Sequence, residues 1–185
     1  MIIYDAIILE KRVLFTSTGN NFSAQEIAQC VCAAALLVSP PLFSILNRVF
    51  PYCIWEDLKF LEVKGYIAGS KNELFKMRIN WFDICCDLDT GTIIEESKDY
   101  SAQRYYKEDI EFIEQLLERL NNGTVDEDGI GFAFSEYTRV LLELAMHEPC
   151  YYNNTEAHQL FIENQWVRIF ALRRTFCKDI LLKVL

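Results

Sequence analysis

Basic residues are scarce in this sequence of 185 residues: 18 Lys and Arg stand against 27 Asp and Glu, a formal net charge of −9. Nucleic-acid and anionic-membrane binding both need clustered Lys and Arg, and no basic face is visible, so neither is expected. Only two histidines occur, His147 and His158, and neither sits at ligand spacing with a cysteine pair. No C-x-x-C is present either, so the four converging soft ligands of a tetrahedral zinc site are missing. The longest apolar run, Val31 to Leu46, is broken by Ser39-Pro40-Pro41 and is too short to span a bilayer. The N-terminus begins apolar but carries Asp5 and no preceding basic region, which is not the pattern of a signal peptide. A reducing, cytoplasmic location follows as an expectation.

Catalytic patterns are equally thin. Thr16-Ser17-Thr18-Gly19-Asn20-Asn21 lies between an expected strand and an expected helix N-terminus, where anions bind readily. It has one glycine and no lysine, whereas a P-loop needs a Lys followed by Ser or Thr. Ser23, Ser39, Ser44 and Ser135 lack the glycines of a nucleophile elbow. The acidic groups Glu95-Glu96 and Asp126-Glu127-Asp128 fall beside turn signals, as solvated loops or helix N-terminal charge. No cofactor, no metal and no covalent chemistry are expected.

What is present is apolar material. Hydrophobic residues make up 51 % and aromatic residues 14 % of the chain, ample for a packed core and no case for disorder. The seven cysteines, Cys30, Cys32, Cys53, Cys85, Cys86, Cys150 and Cys177, lie in apolar contexts and read as buried, reduced thiols. Val13 to Ser17, β-branched and aromatic, reads as a buried strand, and Thr18 to Asn21 as a turn. Ser23-Ala24-Gln25-Glu26 is a capping box opening a helix to about Val38, with its C-terminal half apolar on every side and therefore expected to be buried. Pro40-Pro41 closes it.

Around Gly69 the sequence reads strand, turn and helix, with a further strand at Ile84 to Leu88, a hairpin turn at Asp89-Thr90-Gly91 and a return strand from Thr92. Downstream the pattern is helical. Ile110, Ile113, Leu116, Leu117 and Leu120 form one stripe, ended by Gly123. Phe132, Phe134, Tyr137, Val140, Leu141, Leu144 and Ala145 form a second, and Phe161 to Leu182 holds a third. The fold class is α/β: a small sheet with a buried helix over residues 1–98, then a helical part over residues 99–185 packed on it.

Three segments, in order, carry a family resemblance. They are Pro51-Tyr52-Cys53-Ile54-Trp55-Glu56-Asp57-Leu58, then Tyr66 through Gly69-Ser70-Lys71-Asn72-Glu73-Leu74-Phe75, then Trp81 through Asp87-Leu88-Asp89-Thr90-Gly91. Together they resemble the C-terminal half of a DENN module, nearest the Avl-type branch of late secretory transport, with weaker likeness at Phe134 to Tyr137 and at Phe161 to Thr175. That resemblance implies a DENN core that binds a Rab-like small GTPase as part of a guanine-nucleotide exchange factor in vesicle trafficking. Its alternative is a DENN-like scaffold or heterodimer subunit without exchange activity, and a small enzyme with an unrecognised site is the third reading. The resemblance further implies an absent N-terminal longin-like lobe, a partner chain or lobe in its place, and peripheral association with trafficking membranes through partners.

The expected partner-binding residues are Gly69, Ser70, Lys71 and Asn72, a polar loop on a rigid strand–helix frame. A purely structural account stands beside it: Gly69 for positive φ, Asn72 as a cap, Phe75 as core. Exposure of Trp55, Trp81 or Tyr66 would favour the binding account, since aromatics dominate interface hot spots.

Overall fold

Val13-Leu14-Phe15-Thr16 forms the central strand, β1 (Val13–Thr16), and all four residues are buried. The computed structural model describes residues 1–19, 21–95 and 107–146. An apolar run without polar alternation fits a strand covered on both faces. β1 pairs in parallel with β3 (Ile67–Ser70) on one side and with β4 (Ile84–Asp87) on the other. β2 (Val49–Phe50) extends the β3 side in parallel, and β5 (Thr92–Glu95) lies antiparallel to β4. The five-stranded order is β2-β3-β1-β4-β5, so the fold class is α/β as the sequence indicates. The tight connection from β4 to β5 turns at Gly91, whose φ of 66° is one that L side chains rarely adopt.

The chain divides into two compact units. One comprises Ile2–Leu36 and Ile45–Arg104; the other comprises Met1, Leu37–Ser44 and Tyr105–Leu185. In the first, the apolar opening folds as helix α1 (Ile2–Ile8), an element its short sequence pattern had not declared. It closes with the Lys11 N–H on the Ala6 carbonyl (2.9 Å) and the Glu10 N–H on the Ile7 carbonyl (3.2 Å). Glu10 takes the left-handed position (φ 55°) that glycine usually fills. Arg48 then ties this turn down, donating to the Ile7 carbonyl (3.2 Å) and the Gly65 carbonyl (2.7 Å).

Helix α2 (Ala24–Leu36) opens on the expected capping box. The Glu26 N–H donates to Ser23 Oγ (3.2 Å), and the Ser23 N–H and hydroxyl donate to Glu26 Oε2 (2.7 Å each). Ile27, Val31, Ala34 and Ala35 are buried, whereas Cys32, Ala33 and Leu36 are exposed, with Leu36 at 56 %. The expected all-round burial of the C-terminal half is therefore corrected. Small apolar residues sit on a solvent side without large cost, so an apolar run does not force enclosure.

The cysteines follow the same division. Cys53, Cys85 and Cys86 are buried, Cys30 is half-buried and Cys32 is exposed, which corrects uniform burial. Burial pushes the Cys85 and Cys86 thiols up to about 12, and Cys53 up to about 11.

In the second unit, α4 (Lys107–Asn121) ends in a Schellman turn. Gly123 is at φ 65°, its N–H reaches the Leu120 carbonyl (3.0 Å), and the Thr124 N–H reaches the Arg119 carbonyl (2.9 Å). Asp126 caps α5 (Glu127–Met146) by accepting from the Gly129 N–H at 2.9 Å. The two helices meet through Phe112, stacked on Tyr137 (4.4 Å between ring centroids) and edge-on to Phe134 (5.0 Å). The Tyr137 hydroxyl donates to the buried Asp109 carboxylate. Ile110, Leu117, Phe132 and Val140, expected on the buried stripes, are instead 45–69 % exposed. The readings at His147, Cys150, His158, Cys177, Glu96 and Phe161 to Leu182 lie outside the described residues.

Two outcomes follow. Ser23→Ala should lower unfolding stability by about 1 kcal/mol through the lost cap, beyond the change at an exposed Ser→Ala control, as measured by urea titration. In the native protein a thiol-alkylating reagent should modify Cys32 ahead of Cys53, Cys85 and Cys86, which should react only on unfolding. Peptide mapping by mass spectrometry checks that order.

Candidate functional site

The four expected partner-binding residues have different fates. Gly69 and Ser70 are the last two residues of β3 and are buried; the chain leaves the sheet only at Lys71 and Asn72, both half-buried. Gly69 makes no turn, since positive φ among the glycines is found at Gly65, Gly91 and Gly123. What position 69 requires is space: a Cβ there would stand 2.6 Å from the Pro51 carbonyl oxygen, 2.7 Å from Ile27 Cγ2 and 2.9 Å from Val31 Cγ2. The glycine lets α2 and the segment after β2 close onto β3, and its own carbonyl accepts from the Cys53 N–H (2.7 Å).

Ser70 Oγ donates to the Cys53 carbonyl (3.0 Å) and accepts from the Asn72 N–H (3.2 Å). Asn72 caps α3 (Glu73–Met77), its Oδ1 accepting from the Leu74 N–H at 3.0 Å. Lys71 lies near Glu26, whose carboxyl the Ser23 bonds, aided by Lys71, hold below its usual range.

The carboxyl end of β1 is occupied from within. Asp89 accepts from the Gly19 N–H and from the Ser17 hydroxyl, each at 2.8 Å, and these bonds hold its pKa down. An anion-attracting loop before a helix is thus filled by the chain's own carboxylate. Beside it Lys76 Nζ bonds Asp87 at 2.8 Å; burial raises the Asp87 carboxyl, and the Lys76 bond more than reverses this. At the opposite end of the strands Arg12 grips Asp83, with contacts of 2.8 Å and 3.2 Å from the guanidinium and 2.7 Å from the backbone N–H. There too burial acts upward and the Arg12 bonds prevail.

Among the described residues the perturbed carboxyls move down while the perturbed thiols and Tyr66 move up, away from neutrality.

The exposed feature is apolar. Phe75 is the hub of a ring cluster: edge-on to Trp81 (5.5 Å) and Trp55 (6.1 Å), and stacked on Phe60 (5.8 Å). Trp55 stacks on Trp81 at 5.8 Å, and Phe60 meets Tyr66 edge-on at 4.8 Å. Tyr66 is fully buried, its hydroxyl donating to the Trp81 carbonyl. Trp55, by contrast, is 40 % exposed and Trp81 half-buried.

The two segments joined by these rings carry Ile54 (51 % exposed) on one side and Leu74 (44 %), Met77 (62 %) and Ile79 (60 %) on the other. Single exposed apolar residues are ordinary, but several of them within two residues of packed aromatic rings have the composition of an interface core. Trp55 and Trp81 were named from sequence; Ile54, Leu74, Met77 and Ile79 were not. The available signal was length, because the five-residue helix buries Phe75 alone and the three-residue 3-10 turn after it buries no residue.

The described residues thus combine a mixed α/β sheet, internally paired charges and an aromatic ledge at Trp55 and Trp81. The comparison with known families is more specific. Residues 1–97, more than half of the chain, match the family described as "Stabilization of polarity axis" (SPA), and the chain belongs to that family. It is also 33 % identical over 104 residues to an AFI1-like protein of Schizosaccharomyces pombe, a match covering 54 % of this chain and 16 % of that protein. The chain therefore spans about a sixth of the relative's length.

Membership of SPA overturns the DENN assignment. With it fall the exchange-factor function, its scaffold alternative and the vesicle-trafficking role drawn from that resemblance. The physical reason is visible in the motif itself. Gly69, Asn72 and Phe75 answer to close approach, capping and core filling, which many strand–turn–helix units demand, so the spacing does not single out one family. No helix among the described residues is long and apolar enough to cross a membrane.

The division of labour around β3 is testable by stability. Gly69→Ala should cost about 1–3 kcal/mol through overpacking, and Phe75→Ala about 3–5 kcal/mol. Lys71→Ala should stay within about 0.5 kcal/mol. Chemical denaturation of the three variants gives the comparison.

Proposed function

We propose that this chain supplies protein recognition to a larger polarity-axis protein acting at the cell cortex, with the Trp55–Trp81 ledge as its contact surface. The observation that carries this reading is the ledge itself: Ile54, Trp55, Leu74, Met77 and Ile79 are each at least 40 % exposed, and each belongs to or lies within two residues in sequence of the packed rings Trp55, Phe75 and Trp81, inside the SPA-matching residues. A surface held by a packed hub loses little entropy on docking, so its apolar area is available for affinity. The expectations of a Rab-like GTPase and of a partner lobe rested on the DENN resemblance and form no part of the proposal.

The test is localisation paired with stability. A fluorescently tagged chain should be enriched at the cortex of the growth pole in a polarised cell. Changing Ile54, Met77 and Ile79 together to Ser should disperse it, with the melting temperature nearly unchanged because these side chains are solvent-facing. Uniform distribution of the parent chain, or undiminished polar enrichment of the triple variant, would sink the proposal.

A further inference from the structure

The second unit carries a different surface, outside the SPA-matching residues and independent of the ledge. Helix α4 turns Asp109 and Leu116 inward, with Phe112, Ile113 and Leu120 half-buried around them. Ile110 and Leu117 lie about two turns apart on the flank of that face and are 45 % and 52 % exposed. The next line around the helix, away from the core, is acidic: Glu111, Glu114 and Glu118, all exposed. Lys107 pairs with Glu111 at 3.3 Å. Glu114 and Glu118 have no ion-pair partner among the described residues.

An apolar line bordered on one side by an acidic rail has a definite complement. From this we infer that α4 docks a basic amphipathic helix of another protein. Such a helix lays Leu or Ile over Ile110 and Leu117 and brings Lys or Arg of its flank against Glu114 and Glu118. The apolar line supplies area, and the rail sets orientation and excludes acidic partners. The same rail disfavours an anionic bilayer, which selects a basic helix through its charges but repels carboxylates. A second copy of α4 would bring acidic rails together, so self-pairing is disfavoured by the same charges.

The probe is a synthetic helical peptide of about 18 residues, with Leu at the a and d positions of a heptad and Lys or Arg flanking them. It is titrated against the full chain by fluorescence anisotropy. Saturable binding is expected, weakening as NaCl rises from about 0.05 to about 0.5 M. Ile110→Ser with Leu117→Ser, and separately Glu114→Lys with Glu118→Lys, should each weaken it about tenfold or more. A peptide with Glu in place of its flanking basic residues should regain binding to the Glu→Lys variant alone.

The Glu→Lys pair changes solvent-facing side chains, so circular dichroism should show an intact fold even where the apolar pair is damaging. The inference is overturned by absence of binding, by equal binding of a scrambled peptide of the same composition, or by binding that neither variant alters. It is also overturned if the chain self-associates through Ile110 and Leu117, or binds vesicles of anionic lipid with the affinity it shows for the peptide. None of these outcomes touches the ledge, whose own test reads localisation.

Discussion

The sheet unit depends on one constraint: β1 lies between β3 and β4 in parallel, so that none of its four residues reaches solvent. Register does the rest. Leu14 stands opposite Ala68 and Cys85, and these join the face that carries Phe60, Tyr66, Phe75 and Phe82. Phe15 stands opposite Gly69 and Cys86 on the other face, where Ile27 and Val31 of α2 approach Gly69. A one-residue slip would exchange the two faces. In β3 it would set Ala68 or Ser70 where only glycine leaves room, since a Cβ there meets atoms at 2.6–2.9 Å.

Around that core several polar groups hold loops. Asp89 closes the β1–α2 loop, Asn72 caps α3, Ser70 binds the Cys53 carbonyl, and Arg12 joins the start of β1 to the approach to β4 through Asp83. Among the outward-facing residues are the apolar Ile54, Leu74, Met77 and Ile79 of the sheet unit, and Ile110 and Leu117 beside Glu114 and Glu118 on α4.

Much of the local structure was legible from sequence. The capping box at Ser23 and Glu26, the β4–β5 hairpin at Gly91 and the helix stop at Gly123 each depend on residues a few positions apart, so the chain declares them without knowledge of its fold. Glycine at 69 was visible but its reason was not: the atoms that exclude a Cβ belong to Pro51, Ile27 and Val31, remote in sequence and adjacent only after packing. The candidate site was legible in part. Trp55 and Trp81 stood out by type, whereas Tyr66 proved to be core and Met77 and Ile79 proved to be surface. No periodicity separates these outcomes within elements of three to five residues.

The sequence by itself determined the α/β class and the positions of most elements, because propensity, capping and turn chemistry act over short stretches of chain. Only the tertiary structure decided which apolar residues face solvent. Leu116 and Leu117 are neighbours of one type on one helix, yet one is buried and the other half open to water. The difference lies in what packs against each side of the helix, and that is set by contacts made across the fold.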